Sequence, residues 1–201
     1  MTDAIFATNA ISAYHAVYAL TKTRIGHMIR AKDYPSACKV LEELDYRANT
    51  GAIEKIIEAE RIGVYEKFAQ HCPDRVVTDC VTALHKFQTT PLPATGLRDA
   101  EIALQHTLET LVPKIKSEKI RRYFNVYLGA WRSGKKVDDE NLWATTADMQ
   151  SDVEGAVPLF MWWVYNQTEF VAVKIILMGK QYGFDRDRIM QSLGGIYERF
   201  N

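Results

Sequence analysis

Gly129-Ala130-Trp131-Arg132-Ser133-Gly134-Lys135-Lys136 comes within one residue of a phosphate-binding loop. In such a loop glycines let backbone N–H groups cradle the phosphates, a lysine reaches the outer ones, and a Ser or Thr hydroxyl holds magnesium. Lys136 stands where the hydroxyl is needed, and no strand-like alternation precedes the run. The segment therefore reads as a helix end with a glycine stop. His71, Cys72, Cys80 and His85 form a second set of chemically capable residues, but they lack zinc spacing, and Cys80 and His85 fall on different faces of one helix. No Ser-His-Asp or Cys-His arrangement is recognisable. The expectation is a non-enzymatic chain with no catalytic residue, no cofactor and no metal.

A third group is electrostatic. Lys114, Lys116, Lys119, Arg121, Arg122, Arg132, Lys135 and Lys136 interleave with Tyr123, Tyr127 and Trp131, and only Glu118 opposes them within the run. Phosphate contact and base stacking are what such a pattern offers a nucleic acid, so a helical adaptor or nucleic-acid-binding module is one reading of it. The commoner meaning is a solvated helix face neutralised by neighbours such as Asp138-Asp139-Glu140.

Composition favours the plainer meaning. Lys+Arg and Asp+Glu both number 25, so no bulk field draws nucleic acid or an anionic membrane, and charge can act only through patches. The three cysteines, Cys38, Cys72 and Cys80, are odd in number and show no C-x-x-C spacing. Met1-Thr2-Asp3 starts without the basic region and apolar run of a signal peptide, and a reduced, cytoplasmic chain is expected.

Helical periodicity runs through nearly the whole sequence and implies an all-α fold of about nine helices. Tyr14, Val17, Tyr18, Ile25, Met28 and Ile29 share one stripe; Asp33 looks like the N-cap of the next helix, which places Ala37, Val40, Leu41 and Leu44 together. Ile53, Ile56, Ile57, Val64 and Phe68 mark a third helix ended by His71-Cys72-Pro73-Asp74, and Val77, Cys80, Val81, Leu84 and Phe87 a fourth. Two prolines and a glycine in Thr89 to Gly96 cannot continue a helix. That stretch is the expected linker (89–96) between helical bundles at 1–88 and 97–201, unless the two form one continuous domain. Leu104, Leu108, Leu111 and Ile115 belong to a fifth helix, Ser117 caps a sixth with Ile120, Tyr123, Phe124, Tyr127, Leu128 and Trp131 inward, and a short seventh begins near Asp138.

The long eighth helix starts with an apolar run, Val157 to Tyr165, that invites comparison with a membrane span. Asn166, Gln167, Glu169 and Lys174 in its middle argue against that, because ionised groups are costly in hydrocarbon. At about 100° per residue, Asn166, Gln167, Glu169, Lys174, Lys180 and Gln181 fall within roughly 160° of arc, shared with Trp162, Trp163, Phe170, Val173 and Leu177. Glu169 and Lys174 are therefore expected in a buried or groove-lining polar network. Gly183 ends the helix and Asp185 opens a ninth.

Three helix-turn-helix stretches look alike: Thr23 to Leu44, Tyr123 to Trp143 and Val173 to Leu193. Together with Arg24-Ile25 and Lys32-Asp33-Tyr34 near the start, and Glu169, Lys174 and Lys180 before a short glycine turn at the end, they resemble the C/d central-stalk subunit family of V-type (vacuolar and archaeal-type) ATPases. Where the family pattern has a basic residue and an Asn after the matching glutamate, this chain has Val171 and Ala172, and it is shorter than a typical member. The resemblance implies repeated helical bundles and a mechanical role. A subunit of this kind receives the central shaft on the cytoplasmic face of the proteolipid ring and passes torque to the ring that moves protons or sodium ions. Its partners would be the other V-type ATPase subunits, its location cytoplasmic and peripheral to the membrane, and its family or interface residues Arg24, Tyr34, Trp162, Trp163, Glu169, Lys174 and Lys180.

Overall fold

The computed structural model describes residues 19–46, 50–90, 96–135, 137, 139–152 and 155–200. These residues form nine α-helices and no strand: α1 (Lys22–Arg30), α2 (Tyr34–Glu43), α3 (Ile53–His71), α4 (Arg75–Thr89), α5 (Leu97–Leu111), α6 (Glu118–Arg132), α7 (Asp139–Ala144), α8 (Val157–Gln181) and α9 (Arg186–Leu193). Short 3₁₀ turns at Val112–Lys114, Ala147–Met149 and Gly194–Arg199 complete the order. The protein is all-α, as the periodicity requires. Tyr14, Val17, Tyr18 and Lys136 lie outside the described residues.

Helix starts follow side-chain chemistry. Thr21, Asp33, Asp74, Ser117 and Asp185 each accept a hydrogen bond from a backbone N–H in the first turn they precede, which satisfies donors that have no partner inside the helix. Three helices stop in the same way. Gly134 (φ 64°) and Gly183 (φ 69°) take left-handed backbone, and so does Asp45 (φ 56°). At each, the next residue's N–H reaches back five positions: Tyr46 to Leu41 O, Lys135 to Ala130 O and Phe184 to Gly179 O. This is the Schellman stop, and it leaves few helix-terminal carbonyls bare.

The described chain divides into two compact units, with the divisions falling within α3 and within α8. One comprises Tyr65–Trp162. There Val77, Cys80, Val81 and Leu84 of α4 and Leu104 and Leu108 of α5 are buried where the two helices pack together. The ring of Phe160 stands edge-on to Tyr123 at 5.1 Å and tilted against Phe124 at 5.5 Å, tying α6 to the start of α8. The 89–96 stretch, expected as a boundary between halves, falls inside this unit. Helices on either side of it are direct packing partners; residues 91–95 are outside the described set.

The other unit holds the described residues up to Val64 and those from Trp163 onward. Its core combines Ile25, Met28 and Ile29 of α1, Ala37, Cys38 and Leu41 of α2, Ile53, Ile56 and Ile57 of α3, and Phe170, Val173, Ile176 and Leu177 of α8. Gly179 lets α9 approach: a Cβ there would sit 2.6 Å from Ile189 Cγ1. Among the described residues no helix is long and apolar enough to cross a membrane.

Candidate functional site

Glu169 is the polar residue around which the second unit is organised. It sits on the α8 face that looks into the core and is only 5% exposed. Its Oε1 accepts from the Tyr46 hydroxyl at 2.8 Å and its Oε2 from the Leu20 backbone N–H at 3.1 Å. The Schellman stop at Asp45 explains how Tyr46 arrives there: once the Tyr46 N–H is fixed on Leu41 O, the side chain turns inward and is buried. Burial pushes the Glu169 carboxyl up to about 7, against the two hydrogen bonds and the Arg24 charge that hold it down, while Glu60 adds to the rise. Tyr46 is driven well above its ordinary value, first by burial and then by Glu169.

Lys180 lies three turns further along α8 and about 20° round from Glu169. Its ammonium donates to the carbonyls of Ile29 and of Ala31, the latter at 2.7 Å. Those oxygens belong to the end of α1, where carbonyls have no helical partner and a cation is favoured. Arg24 works at the other end of the same helix, donating to Ala19 O at 2.7 Å. Glu169 thus holds the chain entering α1 and Lys180 holds the chain leaving it.

Lys174 does not join this network. The shared arc counted it with Glu169, but it lies about 140° away, and its side chain is exposed. Tyr34 donates from its hydroxyl to Gly51 O at 2.7 Å. Trp162 and Trp163 are both buried. Arg61, unremarked in the sequence, has its guanidinium 5.7 Å from the Phe170 ring centre. Tyr46 and Arg61 gave no local pattern to find them by, since each is defined by partners far away along the chain.

In the first unit three residues of the basic segment, Lys119, Arg122 and Arg132, are paired with acids. Lys119 pairs with Asp152 at 2.7 Å and also donates to Asp148 O; Arg122 pairs with Asp148 at 3.1 Å and Arg132 with Glu109 at 3.2 Å. Arg121 donates to Ile115 O. Lys114, Lys116 and Lys135 are exposed. Asp148 and Asp152, in the stretch after α7, are acids that the sequence had not singled out for this role. The near phosphate loop is the α6 stop itself: Gly134 N–H bonds Trp131 O and Lys135 N–H bonds Ala130 O, so these amides face the helix that they terminate.

No family model, curated protein or solved structure matches this chain. What the arrangement can do must therefore come from its own chemistry. Among the described residues no group of three or more His, Cys, Asp or Glu is placed to hold a metal ion. Cys38, Cys72 and Cys80 are free, and burial drives the Cys80 thiol up to about 12, far from a reactive thiolate. A groove of about 530 Å³ between α4 and α5 is lined by Ala83, Phe87, Ala100 and Leu104, with Lys86 and Asp79 at its edge. Buried polar ties and helix stops are the elaborated features here, and both position helices.

Proposed function

We propose that this protein works by contact, as a non-catalytic coupling subunit of the kind found in the central stalk of V-type ATPases, placed between a rotating shaft and a proteolipid ring. The observation that carries the reading is the double tie from α8 to the two ends of α1. The two segments that bear the resemblance, around Arg24 to Tyr34 and from Glu169 to Lys180, lie far apart in sequence, and Leu20, Ile29 and Ala31 join them by hydrogen bonds in one unit. A part that transmits torque needs its contact-bearing helices held rigidly to one another, and buried, satisfied polar ties specify such an arrangement. The ion pairs of the basic segment weigh against the alternative of a nucleic-acid-binding module, because paired side chains release fewer counterions on binding.

Affinity purification of the tagged protein from its native host, followed by mass spectrometry, tests the reading. Shaft subunits and proteolipid should be recovered together. Recovery of nucleic-acid-binding partners without any rotor subunit ends it.

A further inference from the structure

Helix α8 carries a second apolar face that is largely exposed among the described residues. Val171, Ile175, Met178 and Tyr182 are spaced four, three and four residues apart and fall within about 60° of arc. Val171 is 41% exposed, Met178 37% and Tyr182 67%, and Ile175 is half-buried. Tyr182 still belongs to this face, since its N–H bonds Met178 O with helical spacing. The face is separate from the one that packs inward through Phe170, Val173, Ile176 and Leu177. Its spacing is that of a coiled-coil seam, in which each side chain inserts between residues of a facing helix.

The lower end of the seam has the makings of an anchor. The Tyr182 ring lies 6.3 Å from Phe184, and the Arg188 guanidinium stands 3.8 Å over the Phe184 ring. Tyrosine and arginine are enriched where interfaces gain most of their affinity. Charge then selects the occupant. Between Phe170 and Phe184 the sequence holds Lys174 and Lys180 and no acid, and Lys174 is exposed beside the seam. A second copy of the chain would bring Lys174 against Gly179 in a parallel pairing and against Gln181 in an antiparallel one. Neither answers it.

We infer that this seam docks an amphipathic helix from a partner protein, one with acidic side chains flanking its apolar stripe. The inference deepens the proposed function and rests on the reading that the protein works by contact. Four side chains over three turns make a small interface, suited to a contact that supplements a larger one.

Two fluorescein-labelled helical peptides of about three heptads serve as probes, with Leu along the seam and either Glu or Lys at the flanking positions. Fluorescence anisotropy with the full-length protein should show saturable binding of the Glu peptide and at least about tenfold weaker binding of the Lys peptide. Met178→Glu and Tyr182→Glu should each weaken the Glu peptide by about tenfold or more, with thermal melts confirming that both variants stay folded. Lys174→Glu should reverse the preference between peptides. Ile62→Glu, at an exposed apolar position on α3 outside the seam, should change nothing. The inference is overturned if neither peptide saturates, if Met178→Glu binds as the parent does, or if sedimentation shows a dimer that Met178→Glu dissolves, since a second copy would then be the occupant. Rotor subunits should still be recovered with Met178→Glu through the larger contact, so the stalk reading is tested independently of the seam. Loss of rotor partners from the parent protein itself would sink that reading alone.

Discussion

A carboxyl enclosed in a core and offered only two donors is poised between charged and neutral forms, and Glu169 is such a group. Its folded pKa of about 7 lies above the ordinary 4.5, so the folded state binds more protons than the unfolded one between those values. Stability contributed by this residue must then be greatest below pH 4.5 and decline as pH rises towards 7, the reverse of a salt-bridged carboxylate. Glu169→Gln should remove that slope. An amide can accept from the Leu20 N–H and donate to the Tyr46 hydroxyl, so the variant should fold and should gain on the parent as pH rises, by on the order of 3 kcal/mol across the window. Urea unfolding of both proteins from pH 5 to pH 8 measures it, and parallel curves would refute the buried titration. Glu169→Leu orphans both donors and should cost about 1–3 kcal/mol even where the carboxyl is neutral. The pull of Glu169 towards the interior was legible from its place on the eighth helix. Its partners were not, because Tyr46 sits 123 residues away and Leu20 contributes only a backbone amide.

Among elements, the closest fit is between α8 and α9. Gly179→Ala should gain about 1 kcal/mol of helix propensity and lose more than that, about 1–3 kcal/mol, because the new methyl would sit 2.6 Å from Ile189 Cγ1 and 3.0 Å from its Cδ1, in a buried side chain with little room to move. Ile189→Ala alone leaves a cavity and should cost about 2–5 kcal/mol. Combined, the two changes should cost less than their sum, since the added methyl enters the space vacated; strict additivity in thermal melts would count against the contact. Helix starts were readable because Asp33, Ser117 and Asp185 cap by a local rule. The glycine stops at Gly134 and Gly183 were readable for the same reason. The stop at Asp45 was not, because left-handed backbone at a non-glycine residue follows from the packing of Leu44 and Tyr46, both buried. The proline-bearing stretch marks where helix propensity breaks, and such a break says nothing about which helices then pack together.

At the scale of the whole molecule charge is balanced, and balance is local as well as global. Net charge is +0, and three cations of the one dense run, Lys119, Arg122 and Arg132, meet acids at 2.7 Å and about 3 Å on their own unit. Half-exposed pairs of this kind contribute little to stability, but they set what the surface attracts. The parent protein should therefore bind single-stranded and duplex oligonucleotides weakly, and the binding should vanish near physiological salt. It should also give no saturable heat with ATP, since the Gly134 and Lys135 amides are spent on the helix end. Asp148→Asn combined with Asp152→Asn frees Lys119 and Arg122 from their partners. That variant should bind nucleic acid more tightly, with a salt dependence steeper by about 0.9 per added phosphate contact. Filter binding across a salt series compares the two proteins directly. Tight, steeply salt-dependent binding by the parent, unchanged when the aspartates are removed, would show that the cations are available despite their pairs and would move the working surface to Lys114–Lys136.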